Sequence, residues 1–355
     1  MRVGINGRFL RKEAPTGISK YTSALLANLA DLADIDQIVV FGVETLPEPI
    51  TSDHCTTTGR IPEHSGSIAH IWDQCVLPIL TRRHDVDLLH SPAGIPPLVC
   101  PVPTVMTVHD LAPIRHPEWF TSKYATFYRM MTPVALRSAD TIITVSKFTQ
   151  QEVEAKYPYT NGQTSVIHNG TTPPPEGAAP ETVPKEYFLS VGTINERKNL
   201  RRLLKAYKLY RESDPSPQEL VMIGPDREIF TNTDLPEVCG VTMLGYVSDE
   251  TLGWLYRHAT ALLYPSLYEG FGFPIVEAMS VGTPVVTSNR GAMQEVTGSA
   301  GVLVDPESVV SIAEGMRQST IHRDELIKAG MERCSEFRWQ QTAAQTLGVY
   351  RQVIE

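Results

Sequence analysis

Short apolar, β-branched runs alternate with helical stretches along this chain, and that alternation leaves few folds open. Residues 38–41, 86–90, 104–108, 141–145 and 165–168 read as buried strands. Helical patterns such as 17–32 and 120–138 separate them. Repeated strand–helix alternation requires an α/β fold. Residues 171–184, TTPPPEGAAPETVP, form a proline-rich polar break near the middle. A hinge between two domains belongs there. A second series follows, with strands expected at 187–191, 219–223, 241–244, 261–264 and 284–287.

Composition narrows the class further. The chain has 355 residues, 42% hydrophobic and 20% charged, which suits a globular protein of two ordinary domains. No apolar run is long enough for a membrane span, and MRVGINGRFL enters a strand pattern without a signal-peptide core. The five cysteines (Cys55, Cys75, Cys100, Cys239, Cys334) are scattered and never C-x-x-C. Reduced thiols in a cytoplasm, and no zinc site, are the expectation. A net charge of −9 argues against nucleic acid as a partner. Residues 1–170 carry 14 basic and 16 acidic side chains, the remainder 17 and 24. The less acidic first half leaves peripheral contact with the inner face of the membrane open.

Residues 264–289, YPSLYEGFGFPIVEAMSVGTPVVTSN, carry the clearest chemistry. Glu269 and Glu277 flank the turn Gly270-Phe271-Gly272, and Pro274 suits the first turn of a helix because its missing N–H costs nothing there. Glycines before a helix let backbone N–H groups approach an anion, and the helix dipole favours negative charge at that end. Glu269 stands at the lip of the turn; Glu277 falls about one turn into the helix, able to accept hydrogen bonds from hydroxyls. A diphosphate flanked by polyols, a nucleotide sugar, fits this layout.

This string resembles the signature of retaining glycosyltransferases of family four, in which two glutamates are separated by seven residues, as Glu269 and Glu277 are here. The resemblance implies the GT-B architecture, α/β with two Rossmann-like domains facing across a cleft. It implies an acceptor-binding domain at 1–172, joined by a returning C-terminal helix at 338–355, and a donor-binding domain at 183–337. No metal or cofactor is implied, the nucleotide sugar being a substrate.

Further motifs extend the resemblance. Val191-Gly192-Thr193-Ile194-Asn195-Glu196-Arg197-Lys198 puts Gly192 after a strand and a cationic pair before a helix. Arg197 can grip a diphosphate as a fork and Lys198 as a point charge, and both stabilise a departing phosphate. Alanine at either position should cost transfer far more than stability. The family pattern further implies that Tyr246-Val247 lies near the nucleobase, that Gly17 in Thr16-Gly17-Ile18 approaches donor or acceptor, and that His109 of Thr107-Val108-His109-Asp110 contacts the donor sugar. Asp110 is a second candidate there. Gly4-Ile5-Asn6-Gly7-Arg8 follows the first strand but is not a dinucleotide fingerprint. Ser146 reads as a helix cap, and the aromatic stripe Trp119, Phe120, Tyr124, Phe127, Tyr128 as a core face.

The mechanism implied by the family is attack from the leaving-group face after hinge closure, the departing phosphate taking the acceptor proton. Glu269 then positions and stabilises and is not a nucleophile. The N-terminal motifs look most like those of bacterial mannosyl- or rhamnosyltransferases of surface polysaccharides. GDP-mannose is the preferred donor, ahead of UDP-glucose, UDP-GlcNAc and dTDP-rhamnose, with a glycan or lipid-linked acceptor. A nucleotide-sugar epimerase and a non-catalytic nucleotide-sugar binding module remain as alternatives.

Overall fold

The computed structural model describes residues 1–11, 17–47, 50, 54–59, 61, 66–180, 182–224 and 235–355. Thr16, part of a motif singled out above, lies outside the described residues. The chain divides into two compact units. The first comprises Met1–Leu111, Phe127–Gly170 and Arg338–Glu355, the second Ala112–Thr126 and Thr171–Phe337. Residues 112–126 thus group with the second unit, although the sequence division kept them with the first. Within that unit His116 stacks on Trp119 and meets Tyr268 edge-on, with ring centroids 5.5 Å apart.

The first unit holds a seven-stranded sheet of β1 (Arg2–Asn6), β2 (Gln37–Phe41), β3 (Cys55–Thr58), β4 (Leu88–Ser91), β5 (Thr104–Val108), β6 (Thr141–Thr144) and β7 (Thr164–Val166). Its order is β3-β2-β1-β4-β5-β6-β7, and its described pairings are parallel. Both faces are covered, so β5 is buried at every position, its two threonines included. One core cluster joins Val39, Phe41, Trp72, Leu77, Val86 and Leu89. Ser146 caps helix Lys147–Lys156 by accepting from the Thr149 N–H, as expected.

The second unit repeats the design in six strands: β8 (Tyr187–Val191), β9 (Glu219–Ile223), β10 (Val241–Gly245), β11 (Ala261–Tyr264), β12 (Val285–Ser288) and β13 (Val302–Val304), ordered β10-β9-β8-β11-β12-β13. Helix Leu200–Ser213 buries Leu200, Leu203, Leu204, Tyr207 and Tyr210, a stripe spaced three and four residues apart. That stripe packs with Ile312, Ala313 and Met316 of helix Val309–Ile321 and with Phe188 and Leu220 of the sheet. Each fully buried apolar side chain contributes roughly 1.5–3 kcal/mol. The strands β3 and β13 were not expected from sequence. Cys55–Thr58 and Val302–Val304 are too short to show a period.

Candidate active site

In the second sheet the strand order reverses between β8 and β11, from which successive strands step outward to either edge. The crevice outside the carboxyl ends at such a reversal is where open α/β sheets bind ligands. Residues 192–198 leave β8 there, and residues 265–272 leave β11. The Asn195 side chain accepts from the Lys198 N–H at 3.2 Å and starts a tight turn over Glu196–Lys198. Asn199 then takes a left-handed φ of 61° and donates to the carbonyls of Pro265 and Pro306. The Leu267 N–H closes onto the Arg197 carbonyl at 2.8 Å, so the two loops are stitched together.

Glu269, Lys198 and Arg197 meet at this point. Lys198 Nζ lies 2.6 Å from Glu269 Oε1, and Arg197 Nη1 lies 3.2 Å from Oε2. The Tyr264 hydroxyl donates to the same Oε1 at 2.9 Å. Glu269 is 6% exposed and Lys198 8%, so the cluster is largely dehydrated. Burial pushes the Glu269 carboxyl up, but the charges of Arg197 and Lys198 outweigh it and hold the group at about 2. Glu269 is therefore ionised at any working pH and both its oxygens accept. Two cations facing one anion leave an excess positive charge, which suits a diphosphate.

The glycine turn is built as its spacing suggests. Gly272 has φ 98° and precedes helix Phe273–Ser280, with Pro274 in the first turn. The Phe271 side chain is buried and meets the rings of Phe273 and Phe337, both at 5.6 Å, so it is taken up by packing. Gly270 is buried beside it. Glu277 is buried in that helix, and its Oε2 accepts from the Tyr256 hydroxyl at 3.0 Å. Each glutamate of the motif thus has its own tyrosine, Tyr264 for Glu269 and Tyr256 for Glu277. Tyr246 is exposed and Val247 half-buried just beyond the edge strand β10, and no hydrogen bond or ion pair among the described residues ties them to this cluster.

The first unit carries the remaining candidates. Gly17 is exposed and opens helix Gly17–Leu29. His109 follows β5 and is half-buried, with Nε2 2.8 Å from the Pro92 carbonyl. A carbonyl only accepts, so Nε2 carries the proton and Nδ1 presents its lone pair. Burial lowers the His109 pKa, which keeps the ring neutral. Tyr21 packs against it edge-on at 4.8 Å, and Trp339 lies 6.0 Å from Tyr21 on the other side. The Tyr21 hydroxyl reaches Thr107 Oγ1 at 3.2 Å, Thr107 reaches His90 Nε2 at 2.8 Å, and His90 Nδ1 reaches the Tyr350 hydroxyl at 2.6 Å. Asp110 adjoins His109 and its charge favours the protonated ring.

With this geometry in view, the comparison with known proteins decides the family. Residues 15–173 match the model described as Glycosyltransferase Family 4, and residues 178–332 match Glycosyl transferases group 1. This chain is a family 4 glycosyltransferase. It is 29% identical to O-antigen chain mannosyltransferase B of Escherichia coli, covering 95% of this chain and 96% of that protein. It is 26% identical to O-antigen chain mannosyltransferase RfbU of Salmonella typhimurium, over 82% of this chain and 84% of the relative. Among solved structures it shares the fold of sucrose-phosphate synthase from Thermosynechococcus elongatus (TM-score 0.76, 21% identity, 99% and 98% of the two chains). It also shares that of WaaG, a glycosyltransferase involved in lipopolysaccharide biosynthesis (TM-score 0.71, 14% identity, 98% and 99%). The family 4 glycosyltransferase therefore has the GT-B architecture of two Rossmann-like units.

Two expectations follow from how the glycosyltransferase holds these groups. Gly192 has φ 148°, and a Cβ there would lie 2.9 Å from Lys198 Cε. Gly192→Ala should therefore displace the Lys198 stem, lowering kcat/KM at least about tenfold and stability by roughly 1–3 kcal/mol. Wild-type transfer by a folded Gly192→Ala enzyme would show that the Lys198 position is not critical. The second concerns His90, fully buried and held at about 3, below its ordinary 6.5, mainly by burial. A lowered imidazole contributes stability that is complete above pH 6.5 and is lost as pH falls toward 3. Between about pH 7.5 and 4.5 this one group should remove on the order of 2–3 kcal/mol from urea-unfolding stability. His90→Gln should lack that part of the slope; an unchanged slope would mean that the ring is not kept neutral.

Tyr264, Tyr256, Tyr21, His90 and Tyr350 were all missed by sequence reasoning. Tyr264 had the best signal, being five residues before Glu269 at the end of a strand pointing into the motif. The others are apolar-looking members of strands and helices whose hydroxyl or ring nitrogen matters only once the sheet is assembled.

Proposed function

We propose that this glycosyltransferase moves a hexose, mannose preferred, with retention from a nucleotide sugar to a hydroxyl of a glycan or lipid-linked acceptor in cell-surface polysaccharide synthesis. The observation that carries the donor side is the Arg197–Lys198–Glu269 cluster with its excess cation at the strand reversal. Arg197 and Lys198 take the diphosphate and stabilise the charge that grows on it as the sugar leaves. Backbone N–H groups of the turn Gly270-Phe271-Gly272 add to that, Gly192 gives Lys198 room to lie there, and Glu277 takes ribose hydroxyls. The base rests on the loop at Tyr246 and Val247.

Glu269 holds sugar hydroxyls. Ionised, and with both oxygens engaged by Lys198, Tyr264 and Arg197, it is a poor acid and a hindered nucleophile, so it works by position and charge. The departing phosphate takes the acceptor proton. The neutral ring of His109 offers its Nδ1 lone pair to a sugar hydroxyl. Mannose is supported by the two O-antigen mannosyltransferase relatives; GDP as its carrier is part of the proposal. Five free thiols support a cytoplasmic location. No described helix is long and apolar enough to cross a membrane.

The test is a thermal-shift screen against GDP-mannose, UDP-glucose, UDP-GlcNAc, dTDP-rhamnose and the free diphosphates, followed by product analysis of the anomer. A selective shift with GDP and GDP-mannose and an α-linked product from the α-donor are expected. Selectivity for uridine nucleotides would overturn mannose. Isomerisation of the donor sugar without any acceptor would favour an epimerase instead.

A further inference from the structure

The first sheet has its own reversal, between β1 and β4, and the side chains at its carboxyl end differ in kind from those of the second. Asn6 closes β1, and Arg8 follows two residues later. Both reach Asp73 on helix Gly66–Cys75: Asn6 Nδ2 donates to Oδ1 at 3.0 Å, and Arg8 Nη1 pairs with Oδ2. The same Arg8 nitrogen lies 3.1 Å from His70 Nδ1, one turn earlier on that helix. The Arg8 N–H donates to Asn6 Oδ1 at 3.2 Å, which closes the network. Asp73 is 1% exposed, whereas the Arg8 and His70 side chains are 12% and 23% exposed. The carboxylate is thus the hidden support, and the guanidinium and imidazole form the presented surface.

Aromatic faces border that surface. The Arg8 guanidinium lies 4.6 Å from the centre of the Phe9 ring, and the His70 and Phe127 rings are 4.3 Å apart. Gly94, on the loop after β4, comes close to both Arg8 and Phe9. A Cβ there would be 3.2 Å from the Phe9 ring and 3.6 Å from Arg8 Nη2.

A plain tie between strand and helix accounts poorly for this. Buried ion pairs seldom repay their desolvation, and an apolar contact would hold the same two elements at less cost. Burial drives the Asp73 carboxyl up to about 6 even though Arg8 and Asn6 pull it down, so the fold retains an unfavourable charge at this place. Such groups, at a strand reversal where ligands bind, mark sites.

We propose that Arg8, held by Asp73 and Asn6, and His70 form a subsite for a neutral, hydroxyl-rich sugar residue of the acceptor, with Phe9 and Phe127 taking its C–H faces. This rests on the reading of the chain as transferring sugar to a glycan. Charge selects the ligand class. Arg8 and Asp73 cancel, and burial holds His70 at about 4 and hence neutral, so among the described residues this cluster carries no excess cation to attract a diphosphate. The second sheet's cluster has two cations for one anion and does attract one. What the first cluster offers is a fixed fork of N–H donors beside rings, the usual equipment for hydroxyls and pyranose faces.

The experiment uses the full chain loaded with whichever nucleotide diphosphate stabilises it. Methyl α-mannobioside and methyl α-rhamnoside are titrated by saturation-transfer NMR, and transfer is compared with donor hydrolysis. Arg8→Lys keeps the charge and removes the fork; Asp73→Asn keeps the shape and removes the support. Both variants are expected to raise the glycoside Kd and acceptor KM at least tenfold, with donor KM and donor hydrolysis within twofold of wild type. An unchanged glycoside Kd in Arg8→Lys, donor hydrolysis falling in step with transfer, or no glycoside binding to the nucleotide-loaded wild type would each overturn the subsite. Failure of every nucleotide to bind would sink the donor reading instead. Glycoside binding by wild type against Arg8→Lys would then test this site directly, equal affinities counting against it.

Discussion

Glu269→Gln is expected to lower transfer by about 10³-fold, roughly 4 kcal/mol of transition-state stabilisation, while free nucleoside diphosphate binds about tenfold more tightly. The two effects have one cause. Glu269 neutralises Lys198 at 2.6 Å and Arg197 at 3.2 Å, so an incoming diphosphate must share those cations with a carboxylate. Glutamine keeps the shape and releases the charge. The diphosphate then gains, whereas the reaction loses the negative group proposed to orient the sugar hydroxyls and balance positive charge at the anomeric carbon.

The pH dependence has a definite sign. The folded-state pKa of Glu269, about 2, lies below its ordinary 4.5. Its contribution, on the order of 3 kcal/mol, is complete above pH 4.5 and disappears as pH falls through 2. The glutamine variant should therefore show a flatter acid limb in urea unfolding, and a larger rise in Tm on adding the diphosphate. Calorimetric titration and kcat at saturating donor check the first pair of effects. Transfer within about tenfold of wild type, or diphosphate affinity lost together with transfer, would dismiss this assignment.

Lys198→Ala should be the second severe lesion, and more damaging than Arg197→Ala. Lys198 is buried, touches both Tyr264 and Glu269, and has its stem packed where Gly192 lacks a side chain. Removing it leaves the buried Glu269 carboxylate with Arg197 as its one counter-charge among the described residues. A loss of about 2 kcal/mol in stability is expected beside a fall of about 10³ in kcat/KM. The Arg197 side chain is 16% exposed and meets Glu269 through one longer contact, so its alanine variant should lose about 10² in kcat/KM and little stability. The sequence offered no reason to expect a stability cost at either position; burial supplies it for Lys198. Lys198→Arg should fail to rescue, because the planar guanidinium is bulkier than the ammonium that fits beside Tyr264. Equal stability for the two alanine variants, or rescue by arginine, would contradict this packing account.

What could be read from the chain alone was whatever depends on near neighbours in sequence. Strand and helix periodicity showed an α/β fold in two series, because apolar spacing follows directly from which face is buried. The turn at 270–272, the helix after it and the cationic pair at 197–198 could be named because glycine, proline and charge act locally. Ser146 was legible as a cap for the same reason.

Whatever depends on strand order was hidden. Lys198 and Glu269 are 71 residues apart and meet only because β8 lies beside β11. His90 and Tyr350, 260 residues apart, meet because the C-terminal helix groups with the first unit. Asp73 carries no signal in the local sequence, and only the fold brings it to Asn6 and Arg8. In each case a pattern along the chain states which groups exist and which face they take. Which charges share a dehydrated space, and so which pKa values shift, is decided by long-range pairing, because electrostatic energy depends on distance through the folded molecule and on the water excluded from between the groups.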